Sequence, residues 1–264
     1  MERKEIFNFP ITIGSYSNFV DAIISSSMSA AKSSYVCVAN VHMVIEAHNN
    51  AAFSRKIHEA DMITPDGLPL TWALRLLYGI KQDRVAGMDL LPDLLKRAEV
   101  NNIPVFFVGG TSELLDKTKE HIEKNYPALK LAGCISPPFR TATAEETASM
   151  ISQINSSDAG LLFVILGCPK QENWMASMKE RLNVTMVGVG GALPVMVELQ
   201  KRAPLWMQRA GFEWFYRLYQ EPRRLFKRYA YTNSLFLWLL FKELVRVRIL
   251  RKRRSQLSGI SKFN

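Results

Sequence analysis

The sequence predicts an α/β fold in which a mostly parallel sheet carries helices on both faces. Short apolar runs alternate with longer amphipathic segments from residue 6 to residue 189. Single helix-like segments separate most strand-like runs, as the crossover connections of parallel strands require. A hydrophobic content of 48% over 264 residues suffices for a packed core.

The first hundred residues alternate between the two patterns. Apolar runs predict strands, and apolar residues at helical spacing predict helices. The elements are, in order, a strand at 6–13, a helix at 18–31, a strand at 35–39, a helix at 42–59, a strand at 61–64 and helices at 68–77 and 90–100. Ser17 is a possible cap for the first helix.

The next ninety residues continue the pattern. The elements are, in order, a strand at 105–108, a helix at 111–125, a strand at 129–134, a helix at 143–154, a strand at 161–166, a helix at 171–181 and a strand at 184–189. A capping box, Thr143 to Glu146, starts the predicted helix at 143–154. After residue 189 every segment reads as helix, and near residue 203 Trp, Tyr and Arg become dense. We therefore predict an α/β body at 1–203 and a helical, basic-aromatic appendage at 204–264.

Positive charge is concentrated in this appendage. Residues 217–254 contain 12 Lys or Arg against two acids, Glu221 and Glu243, whereas residues 1–216 hold 21 basic and 22 acidic side chains. Lys262 completes the net charge of +10. A nearly neutral body with a basic end predicts that this end holds something anionic.

Composition argues against several classes of protein. The three cysteines are widely spaced and form no CxxC, which indicates a reducing cytosol. The first ten residues lack an apolar signal core, so we expect a protein that is not secreted. The apolar stretch at 235–241 is far shorter than the roughly 20 residues that span a bilayer. Because basic residues follow it, this stretch predicts a helix lying on a membrane surface.

Polar residues follow two of the early strands, and open parallel sheets bind ligands at the carboxyl ends of their strands. Asn40 offers a donor and an acceptor to a sugar or a nucleobase, although a cap for the next helix is the ordinary alternative. Asp66, in the turn from Thr64 to Gly67, can act as a general base toward a hydroxyl. The tetrapeptide TPDG is also a common turn sequence.

Glycines follow two of the later strands. Gly109 and Gly110 precede a predicted helix, an arrangement that admits a phosphate but is frequent in α/β proteins. The segment GVGG at 188–191 is not a dinucleotide fingerprint, because Leu193 occupies the third glycine position and no acid follows at the expected distance. A nicotinamide-dependent oxidoreductase therefore rests on the α/β pattern alone. No GxxxxGK[ST], HExxH or Asp-x-Asp motif is present, so no metal is predicted.

The loop GCPKQE at 167–172 is unusually polar for a connection after a buried strand. Lys170 can pair with a phosphate, and Gln171 and Glu172 can hydrogen-bond sugar hydroxyls. The ordinary alternative is a helix start with Pro169 near its first position.

These segments together resemble the WecG/TagA/CpsF glycosyltransferase family over about residues 6–229. The segments that carry the resemblance are TPDG at 64–67, DRVAGMDLLPDLL at 83–95, FFVGG at 106–110, GCPKQENWM at 167–175, GVGGAL at 188–193 and RAPLWMQRAGFEWFYRLYQEPRRLFKRY at 202–229. The resemblance implies a Rossmann-like α/β body with a C-terminal appendage that helps to close the active site at the membrane. It also implies inverting, metal-independent transfer of a sugar from a UDP-sugar to a polyprenyl-diphosphate-linked saccharide.

The resemblance places the catalytic base at Asp66. With the strand-end residues above, the predicted substrate-binding residues are Asn40, Thr64, Gly67, Arg84, Gly109, Gly110, Lys170, Gln171, Glu172, Gly190, Arg217, Arg223, Arg224 and Arg228. UDP-sugar is a substrate, so no cofactor is expected. Because some members carry Thr where this chain has Val38, the sugar is not specified. N-acetylmannosamine, its uronic acid, glucose and galactose remain open.

The tail is predicted to have two roles. Arginines at 217–228 reach the diphosphate of UDP or of the lipid carrier, since guanidinium groups bind phosphate bidentately. Basic residues at 242–254 face lipid headgroups, which places the protein at the inner face of the cell membrane. The rival is a nucleic-acid-binding tail, although the neutral body offers no basic track. Apolar helices also permit a homo-oligomer.

Overall fold

A computed structural model of the protein describes residues 1–29, 33–138 and 140–260, without the side chains of Arg209 and residues 250–260. The predicted lipid-facing groups at 251–254 therefore have their side chains outside the described residues. Residues 261–264 of the predicted appendage also lie outside them.

The strands form a small hairpin and one parallel sheet. They are β1 (Arg3–Ile6), β2 (Phe9–Thr12), β3 (Ser34–Ala39), β4 (Met62–Pro65), β5 (Val105–Gly109), β6 (Leu131–Ile135), β7 (Leu161–Ile165) and β8 (Thr185–Gly188). β1 and β2 pair antiparallel. The other six form a sheet in the order β4-β3-β8-β7-β5-β6, with every neighbouring pair parallel. The predicted α/β fold with a mostly parallel sheet is confirmed.

Alternate residues along each central strand enter two separate cores. In β3, Tyr35 and Cys37 belong to one core, while Val36 and Val38 belong to the other. All four are at most 6% exposed. A strand that is buried on both faces needs apolar residues at successive positions, which is why these strands read as continuous apolar runs.

The helices cover both faces of this sheet. They are α1 (Tyr16–Met28), α2 (Val41–Asn49), α3 (Ala51–His58), α4 (Leu68–Tyr78), α5 (Gly87–Val100), α6 (Ser112–Asn125), α7 (Ala144–Asn155), α8 (Lys170–Met178), α9 (Ala192–Met196), α10 (Leu205–Ala210), α11 (Glu213–Gln220) and α12 (Pro222–Ile260). The core on one face takes side chains from α1, α5, α6 and α9, and the other takes them from α2, α3, α4, α7, α8 and α12. The capping box predicted at Thr143 is present.

The N-terminal prediction of one strand at 6–13 is wrong, because a two-residue turn divides it. Phe7 and Asn8 adopt left-handed φ values of 55° and 63° and join β1 to β2. Paired left-handed residues match the twist of a tight hairpin, and Asn tolerates this conformation well. A short turn of this kind is hidden from apolar periodicity.

Two helix predictions are corrected by side-chain caps. The helix predicted at 42–59 is two helices, because the Asn50 side chain accepts from the main-chain N–H groups of Ala52 and Phe53 at 3.0 and 3.1 Å. Asn50 thereby starts α3 as the N-cap. The first helix is capped by Ser15 rather than Ser17, through a bond from the Asn18 N–H at 3.3 Å.

The last helix packs against the body. Phe236, Leu239 and Leu240 of α12 are at most 8% exposed and belong to the same core as α2. Phe236 also meets Phe7 edge-to-face, with ring centroids 5.5 Å apart. The basic C-terminal segment therefore contributes to the folded core as well as to the surface. None of the described helices combines the length and apolar content needed to cross a bilayer.

Candidate active site

The carboxyl ends of the parallel strands form one edge of the sheet, where the predicted site residues begin. The chain leaves β5 toward β6 and leaves β7 toward β8, so its connections diverge between β5 and β7. Divergence of this kind opens a crevice at the strand ends. Asp66 follows β4, at one side of the same edge.

Asp66 is held by its main chain in a short junction between β4 and α4. Its N–H donates to the Ala39 carbonyl at 2.8 Å, and the Val85 N–H donates to the Pro65 carbonyl at 2.9 Å. The side chain is partly buried, and its carboxylate accepts no hydrogen bond from a described residue. The backbone therefore fixes the position of this carboxyl while both of its oxygens remain available.

Arg84 connects Asp66 to the C-terminal helices. Its Nε donates to the Asp66 carbonyl at 2.8 Å. Its Nη2 forms a close ion pair with Glu213 at the start of α11. The second oxygen of Glu213 lies 3.6 Å from Nε of Arg202, which also pairs with Asp89. These charged groups join the strand-end loop, α5 and α11 in one cluster.

Arg217 approaches the same region from the next turn of α11. Its Nη2 donates to the Gly191 carbonyl at 3.3 Å, just after β8. A Cβ on Gly191 would lie 3.5 Å from this guanidinium. The charge of Arg217 also lowers the pKa of Asp66.

The environment of Asp66 favours its protonated form. Burial raises the pKa of Asp66 to about 6, because it outweighs the attraction of Arg84 and Arg217. Glu213 and Asp89 raise the pKa further by repulsion. A carboxyl with this pKa ionises near neutral pH and is a stronger base than an ordinary aspartate.

Three predicted binding residues have structural roles beside Asp66. The Asn40 side chain accepts from the Met43 N–H at 3.2 Å and caps α2, as the ordinary alternative proposed. Its amide nitrogen has no acceptor among the described residues. The Thr64 hydroxyl is fully buried and donates to the Val85 carbonyl at 3.4 Å, so it is not open to a ligand at the end of β4. Gly67 is the N-cap residue of α4.

The predicted glycine loops are explained by close packing. Gly109 and Gly110 have φ values of 112° and 79°, which disfavour other residues. A Cβ on Gly109 would lie 2.5 Å from the Ile165 carbonyl oxygen. The strand order places this loop four strands from Asp66, or roughly 20 Å at the usual strand spacing. Gly190, beside β8, lies only two strands away.

The loop before α8 divides into a buried and an exposed part. Gln171 and Glu172 are 4% and 0% exposed and bond each other at 2.6 Å. Burial raises the pKa of Glu172, which is enclosed and not open to a ligand. The side-chain oxygen of Gln171, Oε1, accepts no hydrogen bond from a described residue, and a Cβ on Gly190 would lie 3.3 Å from it. Lys170 is exposed and forms no described contact.

The arginines of α12 do not share one environment. Arg223 and Arg224 are exposed, and Arg224 pairs with Glu221 within the chain segment that starts the helix. Arg228 is partly buried, and its Nε has no described partner. Burial, followed by the charge of Arg228, lowers the pKa of His42. The charge of Arg228 therefore acts on His42, two residues after Asn40.

Sequence reasoning missed Glu213, Arg202 and Asp89. All three lie inside segments that carried the resemblance, but none follows a strand. The available signal was an isolated acid in the basic-aromatic segment, at the first position of a helix where the helix dipole favours a carboxylate. Its partner Arg84 is 129 positions away, so only the fold reveals that pair.

The exposed side of α12 carries a stripe of apolar side chains. A stripe of large side chains, each at least 39% exposed, consists of Leu237, Trp238, Phe241, Val245 and Ile249. Lys242 lies over the Trp238 ring, with its ammonium nitrogen 5.2 Å from the centroid, and Arg246 and Arg248 are exposed nearby. Apolar groups mixed with Lys and Arg are typical of helices that lie on membranes.

Comparison with known proteins identifies relatives of this chain. Residues 4–249 match the model of the glycosyl transferase WecG/TagA/CpsF family. The N-acetylglucosaminyldiphosphoundecaprenol N-acetyl-beta-D-mannosaminyltransferase of Bacillus spizizenii is 28% identical over 225 residues, covering 85% of this chain and 86% of the relative. The protein of the same description from Bacillus subtilis is 26% identical over the same shares of both chains.

Proposed function

The chain belongs to the WecG/TagA/CpsF family of glycosyltransferases, and we propose that it transfers N-acetylmannosamine from a UDP-sugar to N-acetylglucosaminyl-diphosphoundecaprenol. The names of the two Bacillus relatives support this choice of sugar and acceptor. Membership of the family makes the protein a glycosyltransferase rather than a nicotinamide-dependent oxidoreductase, the α/β alternative that the sequence left open.

The observation that carries the proposal is a partly buried carboxyl, Asp66, within the electrostatic influence of two arginines. A carboxyl with a pKa of about 6 stands beside Arg84 and Arg217 at the carboxyl edge of the sheet. A carboxylate suits the acceptor hydroxyl, from which it takes a proton. Guanidinium groups suit the diphosphate of the leaving UDP, which they bind bidentately.

The proposed reaction is a single displacement at the anomeric carbon. The acceptor oxygen forms a bond to this carbon while its proton passes to Asp66. The bond from the anomeric carbon to the phosphate oxygen breaks, and UDP departs with the electron pair. An α-linked donor then yields the β linkage named for the relatives. One base suffices, and Arg217 neutralises charge that develops on UDP.

The proposed function is tested by an assay of sugar transfer. The enzyme is incubated with a panel of UDP-sugars, comprising N-acetylmannosamine, its uronic acid, glucose and galactose, and a short-chain polyprenyl-diphosphate N-acetylglucosamine acceptor. We expect disaccharide product with UDP-N-acetylmannosamine, detected by mass spectrometry. Transfer from another donor alone would overturn the choice of sugar, and no transfer from any donor would overturn the acceptor.

The pH dependence of transfer tests the role of Asp66. Because the pKa of Asp66 is raised to about 6, its ionised fraction falls below that pH. We expect kcat/KM to fall about tenfold for each pH unit below about pH 6 and to be level above it. Initial rates at constant ionic strength measure this limb. A profile that stays level down to about pH 4, the ordinary range of aspartate, would contradict the assignment.

The apolar stripe of α12 is the proposed contact with the membrane. The acceptor is lipid-linked in the relatives, so the enzyme has to meet it at a bilayer surface. Each basic residue close to an anionic surface contributes about 1 kcal/mol, and the buried apolar side chains add to this. The protein would then lie peripherally on the inner face of the cell membrane, where UDP-sugars are available.

Vesicle flotation tests this contact. We expect the double variant Trp238→Gln with Phe241→Gln to reduce flotation with anionic phosphatidylglycerol vesicles at least about tenfold, because two exposed rings no longer enter the bilayer. The matched control is Met28→Gln with Val100→Gln, two exposed apolar residues of the body. Wild-type flotation of the α12 variant would contradict the proposal. A shift of RNA at physiological salt, lost in the same variant, would favour the nucleic-acid rival.

A further inference from the structure

Helix α11 is attached to the body mainly by polar contacts. None of its side chains is buried, and Trp214, Phe215 and Tyr219 are at least 40% exposed. Gln220 donates to the Lys201 carbonyl at 3.1 Å, and Arg217 donates to the Gly191 carbonyl. Apolar burial therefore contributes little to the docking of this helix, and its charged contacts carry more of the stabilisation.

Glu213 makes the closest of these contacts. Its side chain is 12% exposed, less than the 22% of Arg84 and the 30% of Arg202, with which it pairs. One partly buried carboxylate thus balances the charge of two guanidinium groups. Removing one member of such a cluster leaves uncompensated charge, which is far more unfavourable than losing an exposed ion pair.

The Arg84 side chain has little freedom once Glu213 is in place. Nε is bonded to the Asp66 carbonyl and Nη2 to Glu213, so two directions of the planar fork are fixed. Nη1 has no acceptor among the described residues and stays available. A guanidinium with two of its nitrogens bonded presents the third nitrogen, Nη1, in one orientation. A group fixed in this way binds substrate without having to reorganise.

We infer that Glu213 is a positioning residue, which orients the Arg84 side chain beside Asp66. This inference rests on the proposed glycosyl transfer. It assigns to Glu213 no contact with substrate. Its effect passes through Arg84, while Arg202, which also pairs with Asp89, lies on the other side of the Glu213 carboxylate.

The experiment is a double-mutant cycle with Glu213→Gln and Arg84→Ala. Two quantities are measured for each variant, the rate of amide hydrogen exchange in α11 and kcat/KM for sugar transfer. Glutamine keeps the size of the side chain and removes its charge. We expect amide exchange in residues 213–220 to rise at least about tenfold in E213Q, since the helix opens locally more often. We expect kcat/KM to fall about 10–100-fold. In the Arg84→Ala background, E213Q should lower kcat/KM almost no further, because the group that it orients is absent. Its effect on exchange should be smaller than in wild type but not zero, because the pair with Arg202 is still lost.

The control is Glu243→Gln, which removes an acid of α12 that pairs with Arg246 at 3.7 Å. It should leave exchange in α11 and transfer unchanged. Losses that add in the double variant would show that Glu213 merely stabilises the helix and would overturn the inference. Wild-type exchange and rates in E213Q would overturn it as well. Should E213Q fail to fold, Glu213→Asp, which keeps the charge with a shorter reach, runs through the same cycle.

The failure of the proposed function is distinguishable from the failure of this inference. Wild-type enzyme that transfers no sugar would overturn the proposed function alone. The exchange half of the cycle needs no substrate. It would then decide by itself whether Arg84 and Glu213 act together to dock α11, and independent effects on exchange would overturn the inference.

Discussion

Replacing Asp66 by Asn is expected to abolish sugar transfer while UDP remains bound with near wild-type affinity. Asparagine has almost the same shape, and the junction that holds residue 66 depends on main-chain bonds to Ala39 and Arg84. The amide cannot accept the proton of the acceptor hydroxyl. General base catalysis contributes about 10²–10⁴-fold, so kcat should fall by this factor. Single-turnover transfer and calorimetric titration with UDP measure the two effects separately.

The stability of this variant separates lost chemistry from lost structure. The pKa of Asp66 in the folded protein, about 6, is raised from its ordinary value of 3.8, so the folded state binds more protons between these values. Stability therefore falls as pH rises through this window and stays lower above it. An asparagine does not ionise, so Asp66→Asn should melt no lower than wild type above about pH 6. Asp116→Asn, an exposed acid of α6 paired with Lys119, is the control and should transfer normally. Near-normal turnover in Asp66→Asn would reject Asp66 as the base.

Replacing Arg217 by Ala is expected to lower kcat/KM about 10²–10³-fold, the usual loss when an electrostatic stabiliser of a leaving group is removed. Arg217→Lys should recover only part of this activity, because an ammonium group keeps the charge without the planar fork. Steady-state kinetics with the preferred donor measure both variants. Arg97→Ala, which removes an exposed arginine paired with Asp21 on the body, should remain active.

Arg217→Ala should also move the pH profile. The positive charge of Arg217 lowers the pKa of Asp66, so its loss raises that pKa further. The acidic limb of kcat/KM should therefore shift above about pH 6. A variant with wild-type rate and an unshifted limb would show that Arg217 acts on neither UDP nor Asp66.

Much of the fold was predictable because it depends on local sequence. Buried parallel strands such as β7 need successive apolar residues, and a capping box marks the start of helices such as α7. These signals depend on residues within a few positions of one another. The errors occurred at two local features that apolar periodicity does not show, the left-handed turn at Phe7 and Asn8 and the side-chain cap of Asn50.

The candidate site was predictable only in part. Asp66 and Asn40 follow strands, and strand ends mark the ligand edge of a parallel sheet, so their region was predictable. Whether such a residue caps a helix or remains available depends on its neighbours in space. The structure makes Asn40 a cap, encloses Thr64 and Glu172, and leaves both oxygens of the Asp66 carboxylate without a described partner.

The sequence by itself determined the α/β class, the edge of the sheet that bears the site, and the separation of a neutral body from a basic tail. Each of these depends on periodicity or composition, which the chain displays along its length. Only the tertiary structure decided that Phe236 of the tail enters the core and that Arg84 pairs with Glu213 across 129 positions. Contacts of that separation depend on the order of strands and the docking of helices, and no local pattern contains them.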